Sequence, residues 1–586
     1  MVIATPSHHE HASDVVRFPL ETPPDSVDVL VVGAGPAGLA AALELRQFGL
    51  RVAVVDRAVD APLIRAGAMG HTSRVAELFR RWGVLHDIRQ SWTVPPEWHT
   101  GHELVTSLTG HRLRGSRPRS FAGVAIGSPS AEEAIRRPQT VLQAAFLRKL
   151  AQLGVPVSGG WAWEGFAESG DDAVSTVRHV GSGESRPIRS RYIVAADGSK
   201  STVRRAAGIE REGAYATHRQ IRFVVRVHGD YPPAIGPFPS ATNIVANQHY
   251  SGFLAALNER DWRVYAGPYG VDALPGTAEL EAIAKHAFGA ELDLEVVAVH
   301  PFYPSKRIAT GFRRRRVLLV GDAAHVRAPG GNLGEGLGDV ANLGWKLAAV
   351  VKGIADDALL DSYDQERRPH NHRIGDHASA RAAGSASNLA AARELGFPDD
   401  ADATPAASRR RLQIAQILRR GAGPAPGVVF DERYDRSDAI WYEPDQHASE
   451  EPWSPHVYRD VSLPGHRAPD GVIDPFGTRL YDRITTRPLL LVSDPSAGSE
   501  VQGFIDAAAG RDLPLDVVYL FDDAARELYT EPLTLIRPDH HVAWHGLDDA
   551  PGAVLDTLLG THRRRHAHAA RAGAASSIEG DPQVAV

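Results

Sequence analysis

An apolar run, a glycine-rich turn and an alanine-rich stretch follow one another near the start of the chain. Residues 27–32 are almost continuously apolar and β-branched, which is typical of a strand buried on both faces of a parallel sheet. Residues 37–48 carry alanine and leucine at helical spacing, and residues 51–55 return to an apolar run. The pattern predicts a βαβ unit within the first 60 residues.

The remaining pattern predicts a mixed α/β chain. Helical spacing recurs at residues 139–153 and 337–354, and short buried strands are predicted at 192–196 and 317–320. Between about 210 and 305, alternating segments rich in aromatic residues favour an antiparallel sheet. Apolar runs at 489–493 and 515–520 open a compact α/β unit near the end of the chain.

These segments predict a domain organisation. The predicted parts are a flexible tail (1–26), a discontinuous nucleotide-binding domain (27–210 and 306–394) with a smaller insertion at about 91–135, an inserted substrate-binding β-sheet domain (211–305), a helical linker (395–460), a C-terminal α/β domain (461–560) and a disordered tail (561–586).

Composition narrows the possible chemistry. The 586 residues include no cysteine, which excludes disulfides, thiolate metal sites and cysteine nucleophiles, so redox chemistry requires a bound cofactor. We expect no metal site. The net charge of −7 and the short arginine runs give no indication of a nucleic-acid partner. Neither a signal peptide nor a membrane span is predicted, so the expected location is the cytoplasm.

The glycine-rich turn has the spacing of a dinucleotide-binding motif. Gly33 permits the tight turn, Gly35 lets the backbone approach a pyrophosphate, and Gly38 lets helix and strand pack closely. Pro36 and Ala37 open the helix, whose N-terminus favours phosphate.

An acidic residue follows at the expected distance. Asp56, next to Arg57, ends the second strand, where a carboxylate accepts hydrogen bonds from a ribose hydroxyl and repels a 2′-phosphate. The turn therefore predicts dinucleotide binding and argues against NADP at this site.

Further motifs resemble one family. The stretches concerned are Ile64–Gly67, Ala195–Arg204 with its Asp197-Gly198 pair, Gly321–His325 (GDAAH) and Asp339–Leu347. Together they resemble the class A FAD-dependent aromatic hydroxylases, the family of para-hydroxybenzoate, phenol and polyketide hydroxylases. Residues 464–469 and 535–544 are similar to the thioredoxin-like C-terminal domain of the larger members.

The resemblance implies a fold and a set of cofactor contacts. The expected fold is α/β: a Rossmann-like FAD-binding domain of the GR2 type, an inserted antiparallel sheet and a thioredoxin-like domain. Asp322 is expected at the ribityl chain and Gln139 beside the flavin, although a helix cap and an ordinary first-turn residue are the alternatives. Gln143 replaces the usual glutamate. The remaining expected FAD contacts are Arg65, Ala66, Asp197, Leu333 and Gly334.

The loop after GDAAH departs from the family pattern. It is about two residues shorter than usual, and it introduces Glu335 next to Gly334. Asn332, Gly334 and Glu335 are the catalytic candidates, with Glu335 either a catalytic base or a residue that stabilises a helix start. The substrate candidates on the inserted sheet are Asn247, His249, Tyr250 and Tyr265.

The predicted activity follows from the family. The protein is expected to hydroxylate a bulky phenolic or polyketide-like aromatic with NAD(P)H and O2 through a flavin hydroperoxide, as a monomer or homodimer. Two alternatives stay open. One is oxygen insertion next to a ketone, or an oxidative rearrangement without hydroxylation. The other is a flavin-holding protein without turnover.

Overall fold

The computed structural model describes residues 10–11, 14–65, 67, 69–99, 101–115, 129–213, 217–236, 239–327, 332–421, 423 and 425–561. The chain divides into two compact units. The first unit comprises Met1–Arg46, Arg51–Val340 and Asn371–Ala425, and the second comprises Gln47–Leu50, Ala341–His370 and Pro426–Val586. The predicted disordered tail, beyond Thr561, lies outside the described residues.

The strands of the described residues, in chain order, are β1 (Glu10–His11), β2 (Val15–Arg17), β3 (Ser26–Val32), β4 (Val52–Asp56), β5 (Asp60–Pro62), β6 (Gly70–His71), β7 (Ser91–Trp92), β8 (Glu103–Val105), β9 (Arg112–Gly115), β10 (Ile135–Arg136), β11 (Val157–Gly159), β12 (Trp161–Ser169), β13 (Asp172–His179), β14 (Ser185–Ala195), β15 (Arg211–Glu212), β16 (Arg219–Val227), β17 (Thr242–Ala246), β18 (Ser251–Ala256), β19 (Asp261–Tyr269), β20 (Leu294–Phe302), β21 (Lys306–Ala309), β22 (Arg313–Arg314), β23 (Val317–Leu319), β24 (His325–Arg327), β25 (Leu489–Val492), β26 (Asp516–Tyr519), β27 (Leu533–Ile536) and β28 (Val542–Gly546).

The α-helices of the same residues are α1 (Pro36–Gln47), α2 (Ser73–Arg81), α3 (Leu85–Gln90), α4 (Gln139–Gln152), α5 (Thr202–Ala206), α6 (Thr277–Phe288), α7 (Asn332–Val351), α8 (Asp361–Leu395), α9 (Pro405–Leu418), α10 (Pro426–Phe430), α11 (Gln446–Ser449), α12 (Gly498–Ala509), α13 (Asp523–Leu528) and α14 (Pro551–Leu558). The predicted βαβ unit is present as β3, α1 and β4, with β3 parallel to β4.

The sheet that carries the predicted nucleotide turn has the order β11-β4-β3-β14-β13-β12, and β23 pairs in parallel with the C-terminal half of β14. β3 and β14 are parallel, so both run towards the same edge of the sheet. The apolar residues of these strands are buried, as the continuous apolar runs predicted. The turns after β3, β14 and β23 therefore meet at one edge, where α/β proteins bind ligands.

The inserted sheet has seven strands in the order β20-β16-β19-β18-β17-β8-β9. It is antiparallel except for the β17–β8 pair, and one face packs on α6 through a core that includes Trp262 and Phe288. β8 and β9 come from the smaller insertion rather than from residues 211–305. The predicted substrate domain thus lacked two of its strands, because segments of three and four residues are too short to show an alternating pattern.

The beginning of the chain departs from the predicted flexible tail. β2 pairs with β5, and Val16 and Phe18 are buried. Burial of these two apolar side chains explains why residues 14–18 belong to the folded unit. Residues 1–9 and 12–13 lie outside the described residues.

The C-terminal part of the second unit is built on the sheet β26-β25-β27-β28, in which β25 is parallel to β26 and antiparallel to β27. Its core includes Leu489, Leu491, Ile536 and Val542. This mixed four-stranded sheet with flanking helices agrees with the predicted thioredoxin-like fold. The predicted linker at 395–460 contains α9, α10 and α11.

A fully buried ionic network joins this domain to α7 and α8 within the second unit. Arg537 donates to both oxygens of Glu366, at 2.7 and 2.8 Å, and to Asp539. Lys346 donates to Glu366 at 2.6 Å and to Asn342 at 2.9 Å. Two cations therefore face two carboxylates where water is excluded, an arrangement that requires all four partners.

The pKa of Glu366 predicts how the free energy of unfolding depends on pH in the acidic range. Burial alone would raise the pKa of Glu366, but Arg537 and Lys346 lower it to about 2. A carboxyl whose pKa is lower in the folded state stabilises the fold above its unfolded pKa, and that stability is lost as pH falls from about 4.5 towards 2. The contribution is on the order of 3 kcal/mol. Urea unfolding between about pH 5 and about pH 2.5 should show a smaller pH dependence for Glu366→Gln than for the wild type.

The matched control is Glu451→Gln, which neutralises an exposed carboxylate paired with exposed Arg459. Its pH dependence should equal that of the wild type, since exposed pairs contribute little. An unchanged dependence of the free energy of unfolding on pH in Glu366→Gln would contradict the assigned role.

Among the described residues, no helix is both long and apolar enough to cross a membrane.

Candidate functional site

The turn between β3 and α1 is shaped by three glycines with different surroundings. Gly33 has a φ of 111°, and a Cβ there would collide with Ala196 O. A Cβ on Gly38 would collide with Gly33 O, so close packing of helix and strand requires this glycine. A Cβ on Gly35 would meet nothing within 4 Å. The side of the turn at Gly35 is open, as pyrophosphate binding requires.

Two polar side chains hold the turn at Ala34. Asp56 accepts a hydrogen bond from Ala34 N at 2.6 Å, and its other oxygen accepts from Ala58 N. Burial raises the pKa of Asp56, and these two backbone hydrogen bonds oppose the rise. Gln143 donates to Ala34 O at 3.0 Å, while its buried Oε1 has no hydrogen-bond partner. An unpaired buried amide oxygen beside the turn can accept from a ligand.

The Asp197-Gly198 loop lies next to the same turn. One oxygen of Asp197 accepts from Thr202 N and Val203 N at the start of α5, and the buried Oδ1 has no partner. Arg211 donates to Ser199 O and also to the carbonyls of Asp322 and Ala323. Arg211 therefore connects the Asp197 loop to the GDAAH loop. The sequence pattern does not identify Arg211, because an arginine in a two-residue strand has no distinguishing pattern.

Asp322 lies in the GDAAH loop, in the short helical turn that follows β23. Its side chain is exposed to solvent, yet desolvation by the surrounding protein raises its pKa, and the charges of His325, Arg211 and Arg327 oppose the rise. This position suits the predicted contact with a ribityl hydroxyl.

Asp322→Ala should weaken FAD binding by about tenfold, because one charge-assisted hydrogen bond is lost. The dissociation constant can be measured by titrating the apoprotein with FAD and following flavin fluorescence. Asp172→Ala, which removes a partly exposed surface carboxylate from the pair with Arg189, is the control and should bind FAD as the wild type does. Equal affinities for both variants would contradict the assignment of Asp322.

His325 and Asp339 form a buried pair that holds the GDAAH loop. His325 Nε2 lies 2.8 Å from Asp339 Oδ2, and both side chains are fully buried. Asp339 also accepts from Gly321 N at 3.1 Å and from Asn371 at 3.3 Å. The pair fixes the backbone next to Asp322, in agreement with a structural role for His325 rather than that of a base.

The first turn of α7 begins earlier than predicted and reaches the same loop. The helix starts at Asn332 instead of at residue 337, so Leu333, Gly334 and Glu335 belong to its first turn. A Cβ on Gly336 would lie 2.8 Å from Gly321 Cα, and one on Gly321 would lie 3.2 Å from Ala37 Cβ. The N-termini of α1 and α7 therefore converge on Gly321, and two helix N-termini favour a bound anion.

The face of the inserted sheet opposite α6 contributes another part of the site. Gly67 lies between the side chains of Gln139 and Arg222. A Cβ built on Gly67 would be 3.3 Å from Gln139 Oε1 and 3.4 Å from Arg222 Nη1. Arg263 donates to Gly67 O and lies 5.7 Å from the centre of the Tyr265 ring. The structure thus brings Gln139 and Tyr265 to one region with two arginines. The sequence pattern does not identify Arg263, since alternation on β19 shows two faces but not which face meets a ligand.

The structure places the other substrate candidates elsewhere. Tyr250 is buried in the core between the sheet and α6. Asn247 organises a turn by accepting from His249 N and Tyr250 N, and His249 stacks on His286 of α6. Asn247 and His249 line a polar cavity of about 480 Å³ next to α6. Their contact with substrate stays a prediction, and burial within a packed core gives Tyr250 no support.

Several predicted contacts cannot be placed. Ala66 and the side chains of Arg65 and Asn332 lie outside the described residues. Arg57 is exposed beside Asp56. Four of the segments predicted to contact FAD lie next to one another in the structure. They are Gly33–Gly38, the Asp197 loop, the GDAAH loop with Asp322, and the first turn of α7.

Comparison with known families identifies the class of protein. A family model described as an FAD-binding domain matches residues 26–378, and one described as the C-terminal domain of aromatic-ring hydroxylases matches residues 461–563. The first covers more than half of the chain, so the chain belongs to the FAD-dependent aromatic-ring monooxygenases, and its cofactor is FAD. The open turn at Gly35 and the unpaired oxygens of Gln143 and Asp197 fit this cofactor.

Individual relatives match almost the whole chain. Tetracenomycin B2 monooxygenase-dioxygenase of Streptomyces olivaceus is 29% identical over 91% of this chain and 98% of its own length. The 4-methyl-5-nitrocatechol 5-monooxygenase of a Burkholderia species is 27% identical over 92% and 98%. The structure of RebC soaked with chromopyrrolic acid and holding 7-carboxy-K252c superposes with a TM-score of 0.78 at 28% identity, covering 92% of this chain and 100% of RebC.

Proposed function

We propose that the protein hydroxylates a bulky aromatic substrate, phenolic or polyketide-like, with NAD(P)H as reductant and O2 as oxidant. The observation that carries the proposal is the convergence of the β3–α1 turn, the GDAAH loop and the first turn of α7 on Gly321. Relatives that act on tetracenomycin B2 and on 4-methyl-5-nitrocatechol support an aromatic substrate.

Bound FAD would supply the electron-transfer and oxygen-activating chemistry. The open turn at Gly35 and the N-terminus of α1 would bind the pyrophosphate. Asp322 would accept from a ribityl hydroxyl. Gln139, at the start of α4 and next to Gly67, would contact the flavin.

The first turn of α7 would hold negative charge at the edge of the cofactor. The partial positive charge at the N-terminus of a helix stabilises an anion that lies near it. The half-buried rings of Tyr265 and Phe253 on the inserted sheet would orient an aromatic substrate. These groups position reactants and exclude water, so the reaction requires no protein nucleophile.

Substitution of Glu335 distinguishes between two roles for this residue in the first turn of α7. As an acidic residue in the first turn of a helix it stabilises the helix by under about 1 kcal/mol, and Glu335→Gln would then keep the wild-type turnover number. A catalytic base would instead lower the turnover number by about 100-fold or more on this substitution. We expect the first result, measured with any aromatic that accelerates NAD(P)H oxidation.

The test of the function is a screen of phenols and polycyclic aromatics for compounds that accelerate flavin reduction by NAD(P)H, followed by product mass under ¹⁸O2. We expect one labelled oxygen atom on an aromatic carbon. Insertion of labelled oxygen next to a ketone, or an oxidised product without label, would support the alternative reactions instead. Bound flavin that no aromatic makes reducible would contradict an enzymatic role.

A further inference from the structure

Arg211 connects two loops at the edge of the sheet that carries the nucleotide turn. It lies on β15, opposite Ala309 of β21, and its side chain is half-buried. Nη1 donates to Ser199 O at 2.7 Å, in the loop that follows β14. Nη2 donates to the carbonyls of Asp322 and Ala323, the latter at 3.0 Å, in the turn that follows β23. One guanidinium therefore connects the ends of two adjacent parallel strands.

Each of the two loops also has contacts of its own. Asp339 accepts from Gly321 N at 3.1 Å and so holds the start of the GDAAH loop. Asp197 accepts from two backbone N–H groups at the start of α5, which holds the other loop to that helix. These contacts fix each loop separately, whereas the hydrogen bonds of Arg211 fix one loop relative to the other. The planar fork of a guanidinium suits this task, because its N–H groups reach acceptors in more than one direction at once.

The position of Arg211 affects Asp322 in two ways. Two of its hydrogen bonds go to the carbonyls of Asp322 and the next residue, so they fix the backbone that carries the carboxylate. Its charge also favours the ionised carboxyl. Burial raises the pKa of Asp322, and the charges of His325 and Arg211 are the two largest influences that oppose the rise. An ionised carboxylate accepts a stronger hydrogen bond from a hydroxyl than a neutral acceptor does.

We propose that Arg211 is a positioning residue for FAD: by fixing the GDAAH loop relative to the Asp197 loop, it holds the Asp322 carboxylate where a ribityl hydroxyl can donate to it. Arg211 itself requires no contact with the cofactor. This inference rests on the proposed contact between Asp322 and FAD, and it extends the binding site to a residue outside the sequence motifs. A purely structural arginine at this place would alter stability without altering FAD affinity.

The first experiment compares the FAD affinity of two arginine variants. The apoproteins are titrated with FAD, and flavin fluorescence gives the dissociation constant. Arg211→Gln should raise the dissociation constant about tenfold, as expected when one charge-assisted hydrogen bond is lost. Arg205→Gln is the matched control, because Arg205 is exposed and donates to Lys200 O and Thr202 Oγ1, which belong to the Asp197 loop and α5. It should bind FAD as the wild type does, and equal dissociation constants for Arg211→Gln and the wild type would overturn the proposal.

The second experiment tests whether Arg211 acts through Asp322. In the Asp322→Ala background the carboxylate that Arg211 positions is absent, so Arg211→Gln should raise the dissociation constant by less than about twofold. The effects of the two single substitutions should therefore not multiply in the double variant. An equal effect of Arg211→Gln in both backgrounds would show that the arginine acts independently of Asp322 and would overturn the proposal.

Arg211→Lys separates the charge from the connection between the loops. A lysine keeps the charge but lacks the planar fork, so its FAD affinity should fall between those of Arg211→Gln and the wild type. Full wild-type affinity in Arg211→Lys would show that the charge alone is sufficient and would overturn the positioning role.

The melting temperature and circular dichroism of each apoprotein show whether the variant is folded. If Arg211→Gln does not fold, Arg211→Lys takes its place in the comparison of the two backgrounds. Unchanged FAD affinity in Asp322→Ala would overturn this inference together with the contact on which it rests. The monooxygenase proposal fails separately: normal FAD affinity without incorporation of labelled oxygen would contradict that proposal and leave the role of Arg211 intact.

Discussion

Arg537→Met should lower the free energy of unfolding by roughly 3–5 kcal/mol, which is the cost of removing one partner from a buried ion pair. The substitution keeps the length of the side chain but leaves Glu366 and Asp539 facing each other with Lys346 as the remaining cation. Burial normally opposes charge on a carboxyl, and Arg537 is the largest influence that keeps Glu366 ionised. Urea unfolding at neutral pH followed by circular dichroism measures the change.

Arg459→Met is the control, since Arg459 and its partner Glu451 are both exposed. It should change the free energy of unfolding by less than about 0.5 kcal/mol. Arg537→Lys retains the charge without the planar fork and should fall between the two. A loss of less than about 1 kcal/mol in Arg537→Met would show that the network relaxes on substitution and that the buried charges are not held as described.

Gly35→Val should nearly abolish FAD binding while leaving the apoprotein as stable as the wild type. The φ of Gly35 is not positive, and a Cβ there meets no protein atom within 4 Å, so the fold accepts a side chain. The same space is needed by the pyrophosphate. Displacing the phosphate from even one backbone N–H group costs about 10- to 100-fold in affinity, because hydrogen bonds to charged groups are strong.

Two further glycines make this prediction specific. Gly165→Val, on β12, likewise introduces a side chain where nothing lies within 4 Å, and it should bind FAD normally. Gly38→Val should instead destabilise the fold, because its Cβ collides with Gly33 O. Normal FAD affinity in Gly35→Val would show that the pyrophosphate does not pass over this turn.

The glycines of the nucleotide turn can be recognised from sequence more readily than the residues of the candidate substrate face, for physical reasons. Gly33, Gly35 and Gly38 act through the backbone at fixed spacing, so their pattern is local and can be recognised. The predicted start of α7 was wrong by about one turn, because Gly334, Gly336 and Gly338 have low helix propensity and the pattern therefore does not indicate a helix there. Gly336 is needed there only because Gly321 approaches it, a contact that the sequence cannot show.

The substrate face depends on which side of a strand meets the cofactor. Tyr250 and Tyr265 are both aromatic residues in neighbouring segments, but Tyr250 packs in the core with Trp262, whereas Tyr265 lies beside Arg263. Alternation predicts that two faces exist without naming the buried one. The network of Glu366, Arg537 and Lys346 was likewise invisible, since its members are far apart in the chain and look like ordinary surface charges.

The order of strands in the first unit affects when the chain can fold during its synthesis. β3 begins at Ser26 but pairs with β14, whose last residue is Ala195, and β14 in turn pairs with β23, which ends at Leu319. The inserted sheet similarly joins β8 to β17, which lies far downstream in the chain. A nascent chain still on the ribosome therefore exposes unpaired strand edges until more than half of its length has emerged, and it depends throughout that interval on protection from aggregation.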